Sequence, residues 1–338
     1  MNFDRENLSE ELGMLQLVNL SNYHTDNALI GNSPEYLQAF LTQYKLDGLE
    51  MMFCAPWDTE LHQRKWLQGC HLRFWPWWLD FWRGDQQALC REFASEEEIA
   101  ACYGGTTREA WLDIYRDNIR TATAAGVKYL VFHVSNARVA ELFSWQFHAA
   151  CREVIEATIE VVNALAPDIP ADTALLFENL WWPGLTLRDK ELTAMLLDSV
   201  THRNVGIMLD TGHLMNTNPD LRTEAEGVEY VLTTLDNLGS YARYIRGIHL
   251  HKSLAGKYIR YSQSNTGKLK AAYNMEEVMH HVLKIDEHRP FTTPAVKNII
   301  NYVQPEFVVH EFMYRSLTDW EGKLSQQLQA LGLMHNGI

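Results

Sequence analysis

The segment Val205-Gly206-Ile207-Met208-Leu209-Asp210-Thr211-Gly212-His213 runs five apolar or small residues into an acid and sets an imidazole three positions beyond it. A short continuous apolar run has the length of a strand covered on both faces. Such a strand should finish in apolar or small residues unless its end is used. An ionised carboxylate there costs several kcal/mol unless a cation or hydrogen bonds compensate it. Similar bursts recur on either side: LQLVNL (15–20), LDGLEMM (46–52), YLVFH (129–133), ALLFE (174–178), GIHLH (247–251) and FVVHE (307–311), with 71–74 as a weaker third strand. Helical patterns fill the gaps. Ser33-Pro34-Glu35 offers an N-cap and a first-turn proline, and Thr107-Arg108-Glu109 opens a helix that Gly126 can end. Further helical stretches lie near 145–165, 187–200, 224–241, 293–303 and 318–331. Eight strands each followed by a helix predict an α/β protein, a single (β/α)8 TIM barrel taken as one domain over 1–338. An open doubly wound sheet is the competitor, but no Gly-rich phosphate loop follows the first strand.

Composition narrows the function. The 338 residues carry 29 Lys+Arg against 43 Asp+Glu, a formal charge of −14. That is not the balance of a protein holding nucleic acid by bulk electrostatics, so nucleic acid is a possible partner that the charge does not favour. No apolar run approaches a membrane span, and the acidic start MNFDRENLSEELG is not the pattern of a signal peptide. Cys54, Cys70, Cys90, Cys102 and Cys151 are scattered and never form a CxxC pair, which suits reduced thiols and a cytoplasmic protein. Two connections are elaborated. Residues 75–106, after strand three, sit in the region of the tryptophan cluster Trp57, Trp66, Trp75, Trp77, Trp78 and Trp82. Residues 252–270, after strand seven, hold Lys252, Lys257, Arg260, Lys268 and Lys270 with no acid. The tryptophans are read chiefly as packing; the basic loop is either a solvated face or a phosphate contact on the face where barrel chemistry occurs.

The ends of successive strands give His133, Glu178, Asp210, His249 and Glu311, with His213 close behind Asp210. Singly, such residues have ordinary structural explanations. Together, at the converging ends of one closed barrel, they form an oxygen and nitrogen donor set suited to Zn²⁺ or Mn²⁺. His71 at the third strand, Asp286-Glu287-His288 with its acid and imidazole at i, i+2, and His251 on the face of His249 are weaker candidates for the same cluster. Glu50, ending strand two, is read as structural.

The order His71, His133, Glu178, Asp210-Thr211-Gly212-His213, His249-Leu250, Asp286-x-His288, Glu311 resembles the xylose isomerase-like TIM barrels, and most of all AP endonuclease family 2, the endonuclease IV group. The resemblance implies three metal positions: His71, His133 and Glu178; Glu178 again with Asp210, His249 and Glu311; and His213, Asp286 and His288. It implies one to three divalent ions, zinc first and manganese as the alternative. The chain departs from the family after His249-Leu250, where His251-Lys252 replaces the usual Asn.

Two activities follow as expectations. With two or three ions, Glu178 or Glu311 would orient a nucleophile for hydrolysis of a phosphodiester or phosphorylated substrate, with His213 in the same site. With one ion, Glu178 and Glu311 would face each other across a sugar or sugar phosphate and shuttle a proton, as in an isomerase or epimerase, and His213 would face substrate. Trp181, Trp182, His251, Lys252, Lys257 and Arg260 are the candidate substrate contacts. A non-catalytic binding barrel is the third reading, and the retained buried acids argue against it.

Overall fold

In a computed structural model that describes residues 13–265 and 273–334, eight parallel strands close into a barrel in chain order. They are β1 (Leu15–Ser21), β2 (Gly48–Met52), β3 (Leu67–His71), β4 (Tyr129–His133), β5 (Ala174–Glu178), β6 (Val205–Asp210), β7 (Ile245–His249) and β8 (Phe307–His310). Helices return the chain between them. Ser33 accepts from Tyr36 N at 3.1 Å to open Pro34–Gln43, and Thr107 accepts from Ala110 N at 3.2 Å to open Arg108–Ala125. That helix stops at Gly126, whose φ of 75° lies in the left-handed region a glycine enters without a Cβ penalty.

Period-two alternation sorts the strand residues. Leu17, Tyr129, Val131, Ala174, Leu176, Met208, Phe307 and Val309 fill the barrel interior as one cluster. Their neighbours Leu130, Phe132, Leu175, Phe177, Leu209, Ile248 and Val308 belong to the larger cluster beneath the helices. Residues two further along an inward row also face inward, so His133, Glu178, Asp210, His249 and Glu311 share one parity and one mouth. Register places His133 opposite Glu178 and Asp210 opposite His249.

Two strands differ from expectation. β3 begins four residues before the proposed 71–74, so His71 ends the strand and does not open it. Gln68 and Gly69 hide its start, but the glycine is needed there: a Cβ would fall well inside van der Waals contact with the Tyr129 ring, which crosses the barrel interior. β7 likewise runs two residues earlier than 247–251, leaving His251 beyond the strand.

The tryptophan-rich excursion folds as three short helices, Leu79–Arg83, Gln86–Glu92 and Glu96–Tyr103. Trp75, Trp78 and Trp82 pack around the fully buried Trp111 of Arg108–Ala125, as the packing reading expected. The loop after β7 contains a helix, Gly256–Ser264, and Lys268 and Lys270 lie outside the described residues. This helix joins Val139–Ser144, after β4, and Met275–Ile285 in a second apolar cluster that includes Trp181 and Trp182. His281 ties the three together, donating to Leu142 O at 2.8 Å and accepting from the Tyr258 hydroxyl at 2.8 Å. Among the described residues no helix is long and apolar enough to cross a membrane.

Candidate metal centre

Three groups of donors meet at the C-terminal ends of the strands. Within each, one ligand atom per residue lies within 4.8 Å of every other: His71, His133 and Glu178; Glu178, Asp210, His249 and Glu311; and His213, His251, Asp286 and His288. Glu178 belongs to two groups, one oxygen facing each. All nine residues expected to hold metal are therefore brought together, and His251 joins them.

The first group is nearly an equilateral triangle. His71 Nε2 is 3.0 Å from His133 Nε2 and 3.1 Å from Glu178 Oε2, and the last two atoms are 2.9 Å apart. The His71 Nδ1–H donates to Leu72 O at 2.8 Å, so in the neutral ring Nε2 carries the lone pair that faces the other two ligand atoms. Donors held at ~2.1 Å in a tetrahedron sit ~3.4 Å apart, within a few tenths of an ångström of these edges.

The second group is oriented from inside the barrel. His249 Nε2–H donates to Glu50 Oε1 at 3.0 Å, and the Tyr129 hydroxyl donates to Glu50 Oε2 at 2.8 Å. This leaves His249 Nδ1 to face Glu178 Oε1 at 3.2 Å, Glu311 Oε2 at 3.0 Å and Asp210 Oδ2 at 3.9 Å. Glu50 is thus more than the structural residue expected: a carboxylate behind a histidine fixes the ring's tautomer and raises its basicity toward a metal. Its place on β2, with the parity of the other acids, was the signal. Asp210 also caps Thr211–Asn216, accepting from His213 N at 2.6 Å.

In the third group His213 Nδ1–H donates to Asn179 O at 3.0 Å, turning Nε2 toward Asp286 Oδ2 at 3.2 Å. His288 Nε2 is 2.6 Å from the same oxygen.

The electrostatics describe a site built for positive charge. Burial by itself would raise the Glu178 carboxyl, yet the His133 and His249 rings hold it well below the usual carboxylate range. Asp286, against burial, is held down by His288 and His213, and Glu311 by His249. Burial disfavours protonated rings, but Asp210 and Asp286 raise His213 well above its ordinary value, and Glu311, Glu50 and Glu178 do the same for His249. His288, also against burial, is carried up to about 9 by Asp286. Among the rings of the donor groups, His133 is pushed down, by burial.

Protons would thus stand where cations belong, and the donor set fits divalent ions. Glu311 Oε2 is buried without a hydrogen-bond partner although His249 Nδ1 lies 3.0 Å away, so the two atoms are close but not aligned on each other. Asp286 Oδ1, His288 Nδ1 and His251 Nδ1 are also buried and unpartnered.

The remaining candidates divide. Trp181 packs on His213 with ring centroids 5.0 Å apart, and Trp182 on Trp181 at 4.7 Å. Lys252 pairs with Glu224 and Arg260 with Asp220. No hydrogen bond or ion pair from Lys252, Lys257 or Arg260 reaches the donor groups among the described residues, because Gly256–Ser264 turns Lys257 and Arg260 to solvent. The side chains in the first two groups with the most solvent contact are His133 and Glu311, 12% and 16% exposed. Beside His133 stands Phe74, ring centroids 4.2 Å apart and 40% exposed.

A closed eight-stranded barrel with acids and imidazoles gathered at its C-terminal mouth is the architecture of the xylose isomerase-like TIM barrels. Residues 100–317 match that family's sequence model, and the chain belongs to it. Among solved structures it is similar to endonuclease IV from Thermus thermophilus, with a TM-score of 0.50 and 15% identity over 95% of this chain and 100% of that one. It is also similar to D-allulose 3-epimerase from a Methylomonas species, solved with D-allulose, with a TM-score of 0.51 and 12% identity over 95% and 97%. At such identities the likeness is one of fold. Among curated proteins no sequence match was found.

Proposed function

We propose that this protein is a divalent-metal-dependent hydrolase of a phosphoester bond, acting on a phosphodiester or other phosphorylated substrate, with zinc as its first ion and manganese as the alternative. The observation that carries the reading is the presence of three adjoining donor groups, two of them sharing Glu178. A proton-shuttling isomerase needs only the second group. Ions bound there would supply Lewis acidity and a water acidic enough to attack at neutral pH.

The chain's own residues do the rest. His71, His133 and Glu178 form one position, and Glu178, Asp210, His249 and Glu311 the next, so the Glu178 carboxylate holds the two at a fixed separation. Glu50 holds His249 with Nδ1 outward. Glu311, a carboxylate with 16% of its side chain exposed, is the group placed to orient a nucleophile at the open side of the mouth. His213 belongs to the third group and supports the site from behind. Substrate would enter past His133, Glu311 and Phe74, while Trp181 and Trp182 close the opposite wall.

The second reading, a sugar isomerase or epimerase, is favoured by one observation. Lys252 and Arg260 are already paired with acids, so the described part of the basic segment supplies no evident phosphate clamp. The net charge of −14 likewise favours a small substrate over duplex DNA. The test is to assay metal-loaded protein against a phosphomonoester and phosphodiester panel, abasic oligonucleotide and a ketose panel. Metal-dependent phosphoester cleavage lost in Glu311→Gln supports hydrolysis. Ketose epimerisation without phosphate release overturns it.

A further inference from the structure

We infer that His251 is the fourth protein ligand of a closed His3Asp cation site, one that secures the segment after Met275–Ile285 to the barrel and has no place for substrate. The inference rests on the multinuclear reading above and concerns the third donor group alone.

His251 is fully buried, and one of its nitrogens lies within 4.8 Å of ligand atoms from His213, Asp286 and His288. Its Nε2 is 2.8 Å from Asp210 Oδ2, and its Nδ1 is buried with no partner. Asp286 Oδ1 and His288 Nδ1 are unpartnered in the same place. Three buried polar atoms without partners in four adjoining residues make a costly arrangement unless something binds there.

The chain also makes room for this ring. At Gly212 a Cβ would fall well inside contact with His251 Cε1 and Nδ1, so the glycine of Asp210-Thr211-Gly212-His213 is what lets the imidazole lie so close. Thr211 fixes the backbone beneath it, its hydroxyl donating to His251 O at 2.5 Å and accepting from His251 N at 3.2 Å. The ring lies parallel to His288, 4° between planes and 4.0 Å between centroids. Stacked rings do not aim their in-plane lone pairs at one point, so one of the two turns when they share an ion.

Four protein donors, three nitrogens and one oxygen, complete a tetrahedral shell, the mark of a structural site; a catalytic one keeps a position open. Solvent contact follows the same division. No side chain of the third group is more than 9% exposed, against 12% for His133 and 16% for Glu311. The ion would join Asp286 and His288 to the ends of β6 and β7, reinforcing the paired backbones of Lys252 and Arg289 (2.7 and 3.1 Å).

Cobalt(II) titration of the metal-free full chain tests this. The wild-type protein should bind three equivalents, one with the intense visible absorption of a tetrahedral ion. His251→Gln should weaken that equivalent at least tenfold and bleach its band, with a smaller effect on the second group through Asp210 and none on the first, whose unchanged binding also reports that the variant is folded. Three equivalents with wild-type affinity and spectrum in His251→Gln overturn the assignment and leave the multinuclear reading standing. Two equivalents in the wild-type protein overturn the assignment alone, and a single one overturns both. A zinc-soaked crystal of the wild-type protein gives the same answer without a variant: a His251 nitrogen ~2.0–2.1 Å from the third ion supports the assignment, and one beyond ~3 Å removes it.

Discussion

Glu50→Gln isolates the influence of one charge behind the metal centre. Glutamine keeps the volume of the glutamate, and its carbonyl can still accept from His249 Nε2–H, 3.0 Å away, while its amide faces the Tyr129 oxygen. What disappears is a buried negative charge that makes His249 Nδ1 a better donor. Loss of such a partner weakens metal binding ~10–100-fold, or ~1.4–2.7 kcal/mol. Glu50→Ala differs in kind, because it leaves a buried imidazole N–H and a buried phenol unpaired, ~1–3 kcal/mol each, or ~2–6 kcal/mol of fold stability together. Competition with a chromogenic zinc chelator reads the first effect, and urea unfolding of metal-free protein reads the second. The expected pattern is a Glu50→Gln variant of nearly wild-type stability with weaker zinc binding, and a Glu50→Ala variant impaired in both. If Glu50→Gln binds zinc as tightly as the wild type, the carboxylate is mere packing and the argument fails.

Gly69→Ala should destabilise the fold by ~1–3 kcal/mol in urea titrations, since the new methyl meets the Tyr129 ring in a filled barrel interior; a change under ~0.5 kcal/mol would mean that the ring moves aside freely. In metal-free protein His288 keeps its proton up to about 9, against an ordinary 6.5. Its contribution to stability is therefore complete below pH 6.5 and fades as pH rises through 9, whereas zinc, which must displace that proton, should bind more tightly over the same interval. Unfolding and zinc-affinity profiles check both signs, and two flat profiles would refute the assignment. Arg260→Ala should leave turnover within about twofold and stability within ~1 kcal/mol, because its partner Asp220 is an exposed acid that belongs to none of the donor groups; a large rise in KM would return the basic segment to the substrate site.

Legibility followed physical scale. Asp210-Thr211-Gly212-His213 could be read because a carboxylate ending an apolar run is expensive, and expense at several ends of one barrel has few explanations. His71 was recognised as a donor although its strand was placed late, since Gly69 looks like a break until the Tyr129 ring that requires it is seen. Glu50, read as structural, and His251, read as a weaker member of the cluster and a substrate contact, were hard to place for a common reason. Each acts through an atom of another residue, Glu50 through His249 Nε2 and His251 beside Asp210 Oδ2, and such pairings appear only once side chains are placed in space. The basic segment stayed open between a solvated face and a phosphate contact because Glu224 and Asp220, which pair with two of its charges, come from a different connection in the chain.

The most direct measurement is the zinc content of the purified, metal-replete chain beside that of His71→Ala. Three ions per chain, falling by one in the variant, is the result this arrangement of donors predicts. A single ion that is indifferent to the loss of His71 would contradict it, and would leave the second donor group as the whole of the centre.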